Sequence, residues 1–194
     1  MTRRLLIPGL DGSPEPHWQH WWAATDPKAL TVEQDNWATP TIEAWETQIA
    51  GAVITYPDSI LIAHSLGCLV VARLLRRWPQ LRVKGALLVA PADPSVSTRL
   101  RGFAQVAAGP LGVPVTVGAS RNDPWMRFAR ARDMARDWGA ELVDLGFAGH
   151  VNVASGYGPW TEGKQICADL EDRAALWQGA PRAGAEPLAQ RWAF

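Results

Sequence analysis

Short runs of apolar residues alternate with segments of helical periodicity along most of this chain. Apolar positions that recur every three or four residues predict five helices, the second of which has Thr39 as its cap. Continuous apolar runs rich in branched side chains are typical of strands covered on both faces. Strands that alternate with helices imply an α/β fold, a mostly parallel sheet with helices on both faces. The predicted strands are residues 5–7, 29–33, 59–63, 86–90, 113–118 and 141–145, and the predicted helices are residues 18–24, 40–53, 66–78, 124–138 and 162–177.

The alternation ends near Trp177, which predicts a single domain over residues 1–177. A chain of 194 residues is long enough for one domain with a sizeable core and short for two. Residues 178–194 are rich in Ala, Pro and Gly and show no periodicity. We therefore expect them to form a loosely attached tail unless Trp192 and Phe194 dock it.

Charge and hydropathy argue against a nucleic-acid-binding, a membrane-spanning or a secreted protein. Lys plus Arg and Asp plus Glu each total 19, so the formal net charge is zero, which argues against a nucleic-acid partner. No apolar run approaches the roughly 20 residues that span a bilayer. The first apolar run is cut after Ile7 by Pro8 and Gly9, which leaves no signal-peptide core. The sequence therefore predicts a cytoplasmic protein without a membrane segment.

No cofactor and no metal is expected. The histidines are scattered, and Cys68 and Cys167 are spaced neither as metal ligands nor as a disulfide framework. The loop after the first strand also lacks the glycine pattern of a dinucleotide-binding site.

The pentapeptide AHSLG, residues 63–67, carries the strongest chemical signal. It follows an apolar strand and opens a helix, which is the setting of a nucleophile elbow, where a sharp turn lifts the Ser65 hydroxyl above the sheet. Such a turn requires small residues two positions before and two after the serine, and here they are Ala63 and Gly67. The competing interpretation is that Ser65 only caps the following helix.

A serine nucleophile needs a base, and His150 is the expected one. In this fold the three catalytic residues follow one another along the chain as serine, then Asp or Glu, then histidine. His150 comes after the last predicted strand, where the third of these residues is expected. His17 and His20 precede the serine, and His64 adjoins it at a sharp turn, so its side chain should point elsewhere.

The base in turn needs a carboxylate that orients it, and Asp123 is preferred because it lies one strand before the histidine. Asp93, after the preceding strand, is the rival candidate. Asp123 followed by Pro124 also fits a helix cap, so that interpretation stays open.

Acyl transfer also needs donors for the oxyanion. The amide of Leu66 is the expected first donor and that of Leu10 the second, with Asp11 in reserve. Three tryptophans follow loops at the carboxyl edge of the sheet and are expected either to line a small aromatic acyl pocket or to brace those loops: Trp18, Trp125 and Trp160.

These motifs together resemble the retinoblastoma-binding protein 9-like, or YdeN-like, family of small serine hydrolases, over nearly the whole chain to about Trp177. The resemblance implies a triad of Ser65, Asp123 and His150. It also implies a minimal α/β-hydrolase fold of about six strands without a lid, and small-residue variants of the elbow such as Ala63 are familiar in this family. The matching segments are Pro8-Gly9, His17–Gln19, Ala63–Gly67, Ser120–Pro124 and Gly149–Asn152, with Gly156, Gly158 and Trp160 behind them.

The sequence therefore predicts a serine hydrolase that cleaves a small-molecule ester or amide through an acyl-enzyme. Without a lid, the site should be shallow and favour small acyl groups. Two alternatives remain at this point: a non-catalytic protein-binding module on the same fold, and an acyltransferase or thioesterase that uses the same triad. The sequence indicates no particular protein partner.

Overall fold

A computed structural model describes residues 2–104 and 108–177 of the chain. Six strands form one sheet in the order β2-β1-β3-β4-β5-β6, and every neighbouring pair is parallel. The predicted α/β-hydrolase architecture is confirmed, and the described residues contain no lid domain. The strands are β1 Arg4–Ile7, β2 Ala29–Thr31, β3 Ser59–His64, β4 Val83–Val89, β5 Val115–Ala119 and β6 Glu141–Asp144.

Five helices cover the two faces of the sheet. Side chains of α2, α3 and α4 share one apolar cluster with one face, and those of α1 and α5 share a second cluster with the other. The helices are α1 Trp18–Thr25, α2 Ile42–Thr55, α3 Leu66–Arg77, α4 Phe128–Asp137 and α5 Thr161–Leu176, and short 3-10 turns lie at Thr98–Phe103 and Val153–Ser155.

The apolar runs are continuous because the sheet is covered on both sides. In β1, Leu5 and Ile7 lie in the cluster beneath α2 and α3, whereas Leu6 lies in the cluster beneath α1 and α5. All six residues of β3 are buried. Strand side chains point alternately to the two faces, so a central strand that is covered twice contains almost no polar position.

Most element boundaries differ from the predicted ones by one or two residues, and three differences have a visible cause. Strand β4 begins at Val83, because the exposed Lys84 interrupts its apolar pattern without ending the strand. Helix α2 is capped by Thr41 instead of Thr39, since Thr41 Oγ1 accepts the amide of Ala44 and the amide of Thr39 donates to Asn36.

Helix α4 begins at Phe128 and not at Pro124. The intervening residues form a turn in which the amide of Trp125 donates to Asp123 at 2.8 Å. This turn keeps Asp123 at the carboxyl edge of the sheet, so the segment between β5 and α4 belongs to the site instead of the helix.

The described residues contain no helix that is both long enough and apolar enough to span a bilayer. The predicted tail, residues 178–194, lies outside the described residues.

Candidate active site

Ser65 occupies a strained turn between β3 and α3. Its backbone has φ 53° and ψ −119°, a conformation that residues other than glycine rarely adopt. The Ser65 side chain makes no capping hydrogen bond to α3, so the helix-cap interpretation is not what the structure shows. The strained turn instead leaves the hydroxyl free to meet residues from other loops.

Two glycines allow the backbone to pass close to this turn. A Cβ on Gly67 would lie 2.6 Å from the carbonyl oxygens of Ile7 and Pro8, and a Cβ on Gly9 would lie 2.8 Å from Cβ of Ser65. Both distances are shorter than van der Waals contact. The loop after β1 therefore packs directly against the elbow after β3. This close packing explains why glycine occupies position 67, two residues after the serine.

Ser65, His150 and Asp123 form one chain of hydrogen bonds. His150 Nε2 lies 2.9 Å from Ser65 Oγ, and His150 Nδ1 lies 2.9 and 3.0 Å from the two carboxylate oxygens of Asp123. The carboxylate can only accept, so Nδ1 carries the proton and Nε2 of the neutral ring accepts from the serine. The Asp123 side chain is almost fully buried. The structure thus brings together the three residues that the sequence suggested.

Asp93, the rival acid, is engaged elsewhere. Its carboxylate forms an ion pair with Arg130 of α4 at 2.8 Å and accepts the amide of Ser95. It therefore connects the loop after β4 to α4 and does not face His150.

A second layer of hydrogen bonds holds the acid and histidine loops together. Asn122 Oδ1 accepts from the Ser120 hydroxyl and from the amide of Gly149, each at 2.8 Å. Behind the histidine, the amide of His150 donates to Ser155 Oγ at 3.0 Å. These roles were not evident from the sequence, although Ser120 and Asn122 belong to one of the segments that carry the family resemblance.

A cavity of about 510 Å³ opens above the serine at the carboxyl edge of the sheet. Its wall contains Ser65 and His150, and much of the rest is apolar. Trp125 is half-exposed at its rim. The apolar lining residues are Leu10, Ala92, Leu100, Trp125, Val153 and Ala154.

A family model described as serine hydrolase matches residues 4–169 of this chain. The chain belongs to the serine hydrolase family. A solved structure described as a YdeN-like hydrolase from Pectobacterium atrosepticum is 35% identical, with a TM-score of 0.83 over 90% of this chain and 92% of the other. The YdeN-like part of the predicted resemblance is therefore confirmed, while the retinoblastoma-binding protein 9 part stays a prediction.

More distant structures share the fold. The ydeN gene product of B. subtilis is 21% identical, with a TM-score of 0.73 over 89% of this chain and 100% of the other. Est1E from Butyrivibrio proteoclasticus, solved with ferulic acid, is 12% identical, with a TM-score of 0.67 over 89% of this chain and 90% of the other. No curated protein sequence matches this serine hydrolase significantly.

Two of the three tryptophans predicted to line the pocket of this serine hydrolase lie in its core. Trp18 is fully buried and Trp160 nearly so, and their rings pack edge to face at 5.2 Å between centroids. The indole of Trp18 donates to the carbonyl of Val151 at 2.9 Å, so the pair braces the loop that carries His150. Of the three, Trp125 is the one that lines the cavity.

The predicted oxyanion donors come from the elbow and from the loop after β1. Leu66 is the first residue of α3, where backbone N–H groups have no acceptor within the helix. Leu10 lines the cavity. The reserve candidate is already engaged, because the amide of Asp11 donates to the carbonyl of Trp37 at 3.1 Å. This favours Leu10 over Asp11 as the second donor.

An ion pair lies at the rim of the cavity. Arg99 donates to both carboxylate oxygens of Asp11, at 3.0 and 2.7 Å, and to the carbonyl of Ala38 at 2.8 Å. The guanidinium lowers the pKa of the Asp11 carboxyl below its usual value. Arg99 therefore faces the cavity as a neutralised pair and not as a free cation.

Two further histidines, His17 and His64, line the same cavity and were not assigned a role from the sequence. Burial lowers the pKa of His17 to about 4, and burial likewise places the pKa of His64 well below its usual value. Both rings are therefore neutral at physiological pH.

Within the described residues, no group of three or more potential ligands is arranged to hold a metal ion.

Proposed function

We propose that this serine hydrolase cleaves small-molecule esters or amides by transferring the acyl group to Ser65. The observation that supports this proposal is the continuous hydrogen-bond chain from Ser65 through His150 to Asp123, with 2.9 Å at each link. An unassisted serine hydroxyl is a poor nucleophile, and a base within hydrogen-bond reach is what activates it.

In acylation, His150 Nε2 takes the proton from Ser65 as Oγ bonds to the substrate carbonyl carbon. The imidazolium then gives this proton to the leaving alcohol or amine as the bond to that group breaks. In deacylation, water attacks the acyl-enzyme while His150 takes a proton from it, and the proton returns to Ser65 as the acid departs.

Asp123 and two backbone amides stabilise the charges that develop. The buried Asp123 carboxylate holds Nδ1–H of His150 and favours the imidazolium. The amides of Leu66 and Leu10 would hold the oxyanion, and removing one such donor typically costs on the order of 100- to 1,000-fold in rate.

The cavity favours a small, uncharged substrate. Its volume of about 510 Å³ is within the range of small-molecule sites. The Arg99 guanidinium is occupied by Asp11, so it is not free to bind a substrate carboxylate. Apolar side chains such as Leu100 and Trp125 suit an apolar acyl or alcohol group.

Labelling with a fluorescent fluorophosphonate tests the activated serine directly. The parent protein should be labelled, Ser65→Ala should not be, and His150→Ala should react at least about 10,000-fold more slowly. His20→Ala, which changes an exposed histidine on α1, should react like the parent. Labelling of Ser65→Ala, or a folded parent that stays unlabelled, would refute the proposed nucleophile.

The substrate class is tested with p-nitrophenyl esters of increasing chain length. We expect kcat/KM to be highest for short acyl chains. A marked preference for long chains would contradict a small acyl site. Adding competing alcohols or thiols and analysing the products separates hydrolysis from acyl transfer to another acceptor.

A further inference from the structure

Two histidines outside the proposed triad face the cavity beside the reacting serine. His17 caps the start of α1, and His64 ends β3. Both line the cavity with Ser65 and His150, and each is only 5% exposed. The ring centroids lie 5.0 Å apart from His17 to His64 and 5.0 Å from His64 to His150.

Hydrogen bonds determine where each neutral ring carries its proton. The amide of Gln19 donates to His17 Nδ1 at 3.1 Å, so the proton of His17 is on Nε2. His64 Nε2 lies 2.9 Å from the carbonyl oxygen of His150, which can only accept, so the proton of His64 is also on Nε2. His64 Nδ1 therefore carries a lone pair.

One nitrogen on each ring remains without a partner. In the described part of the chain, neither His17 Nε2 nor His64 Nδ1 makes a hydrogen bond. In the described residues, the fully buried side-chain polar atoms that lack a hydrogen-bond partner belong to Gln34, Ser59 and Arg173. His17 Nε2 and His64 Nδ1 are not among them, so both atoms keep some exposed surface. The cavity wall thus presents one donor and one acceptor, each on a buried side chain.

We propose that His17 Nε2–H and His64 Nδ1 together bind one hydroxyl group next to Ser65, either a hydroxyl of the substrate or the hydrolytic water. The inference rests on the proposed function. A hydroxyl donates one hydrogen bond and accepts others, so it satisfies both nitrogens at once. A carboxylate can only accept and would face the lone pair of His64, and an ammonium can only donate and would face the N–H of His17.

The two sources of the hydroxyl have different consequences. A substrate hydroxyl would make the pair a specificity site, because an analogue that lacks the hydroxyl leaves both nitrogens unpaired. A bound water would make the pair a positioning site for deacylation. In that step the water oxygen bonds to the acyl carbon, His150 takes its proton, and the Ser65–acyl bond breaks.

The first arm of the test compares esters with and without a hydroxyl in a pH-stat assay. Ethyl lactate is paired with ethyl propionate, ethyl 3-hydroxybutyrate with ethyl butyrate, and 2-hydroxyethyl butyrate with ethyl butyrate. The parent should prefer at least one hydroxylated member by about 10-fold in kcat/KM. His17→Ser keeps an oxygen that can cap α1 but loses the Nε2–H donor, so it should lose this preference. His20→Ser should keep it.

The second arm separates acylation from deacylation with p-nitrophenyl acetate. If the pair holds water, His17→Ser should slow the steady state after the p-nitrophenol burst by about 10-fold while the burst itself keeps its rate. His17→Asn also retains a capping oxygen and provides a second variant if His17→Ser is unstable.

The outcomes of the two arms are distinct. A hydroxyl preference that depends on His17 assigns the pair to the substrate, and selectively slowed deacylation assigns it to water. If neither the ester preference nor the balance of acylation and deacylation changes in folded His17 variants, the proposal is overturned. Failure of the proposed function is recognised separately, because the parent would then not react with the fluorophosphonate.

Discussion

Replacing Gly9 with alanine is expected to displace the proposed nucleophile. The added Cβ would lie 2.8 Å from Ser65 Cβ, 3.2 Å from the carbonyl oxygen of His64 and 3.4 Å from Ser65 Oγ. Carbon atoms in contact are normally about 3.5 to 4.0 Å apart. Gly9 does not have a positive φ, so its backbone conformation accepts alanine and the substitution isolates the steric effect.

The size of the effect follows from this overlap. The Ser65 side chain or the loop must move by roughly 0.7 to 1.2 Å to restore carbon–carbon contact. Overpacking of this kind typically destabilises a protein by about 1–3 kcal/mol. A displacement of about 1 Å at a reacting group can cost on the order of 100-fold in rate. We therefore expect Gly9→Ala to fold with reduced stability and to acylate roughly 100-fold more slowly.

The assay combines the rate of fluorophosphonate labelling with thermal unfolding. Gly51→Ala is the matched control, because a Cβ at this position of α2 meets nothing within 4 Å. Alanine in a helix should stabilise the protein by about 0.5–1 kcal/mol and leave the labelling rate unchanged. A Gly9→Ala protein that labels at the parent rate would refute the proposed close fit between the loop after β1 and Ser65.

Three other changes test different parts of the site. Asp123→Asn should lower kcat/KM for short esters by roughly 10,000-fold, because an amide does not hold the required tautomer of His150. The control variant Asp93→Asn should affect the free energy of unfolding more than it affects activity. Equal activity losses in the two variants would contradict the assignment of Asp123 as the acid. Asn122→Ala removes the acceptor that joins the acid and histidine loops, so the free energy of unfolding in urea should fall by about 0.5–1.5 kcal/mol. An unchanged value would argue against this role. Burial lowers the pKa of His17 to about 4 from 6.5, so the folded protein binds fewer protons than the unfolded chain between these values. The free energy of unfolding is therefore unaffected by His17 above pH 6.5. It falls by about 3 kcal/mol as the pH is lowered from 6.5 toward 4, because the unfolded chain then binds a proton that the folded protein does not. Urea unfolding at pH 7.5 and 4.5 measures this, and the same pH dependence in His17→Asn would rule out His17 as its source.

Local patterns were sufficient to predict the sheet, the elbow and the order of the site residues. A strand covered on both faces must be apolar at nearly every position, as β3 is. A serine between such a strand and a helix lies at the carboxyl edge of the sheet in any parallel α/β fold. The loops that follow the later strands reach the same edge, which is why Asp123 and His150 could be nominated without coordinates.

The choice among similar residues depended on contacts between distant segments. Asp93 and Asp123 both follow strands, and the ion pair of Asp93 with Arg130 separates their roles. Trp18 and Trp125 both follow loops at the carboxyl edge, yet the first is buried in the core and the second lines the cavity. A residue's position after a strand does not specify which way its side chain points.

Periodicity records burial along one element, and it carries no information on how loops from separate elements turn toward one another. Here that turning depends on backbone conformations such as the positive φ of Val151, and on hydrogen bonds such as the one from the Gly149 amide to Asn122, 27 residues away. The donor and acceptor presented by His17 and His64 arise in the same way. Each ring is oriented by its own hydrogen-bond partner, and their common cavity exists only once the loops have folded together.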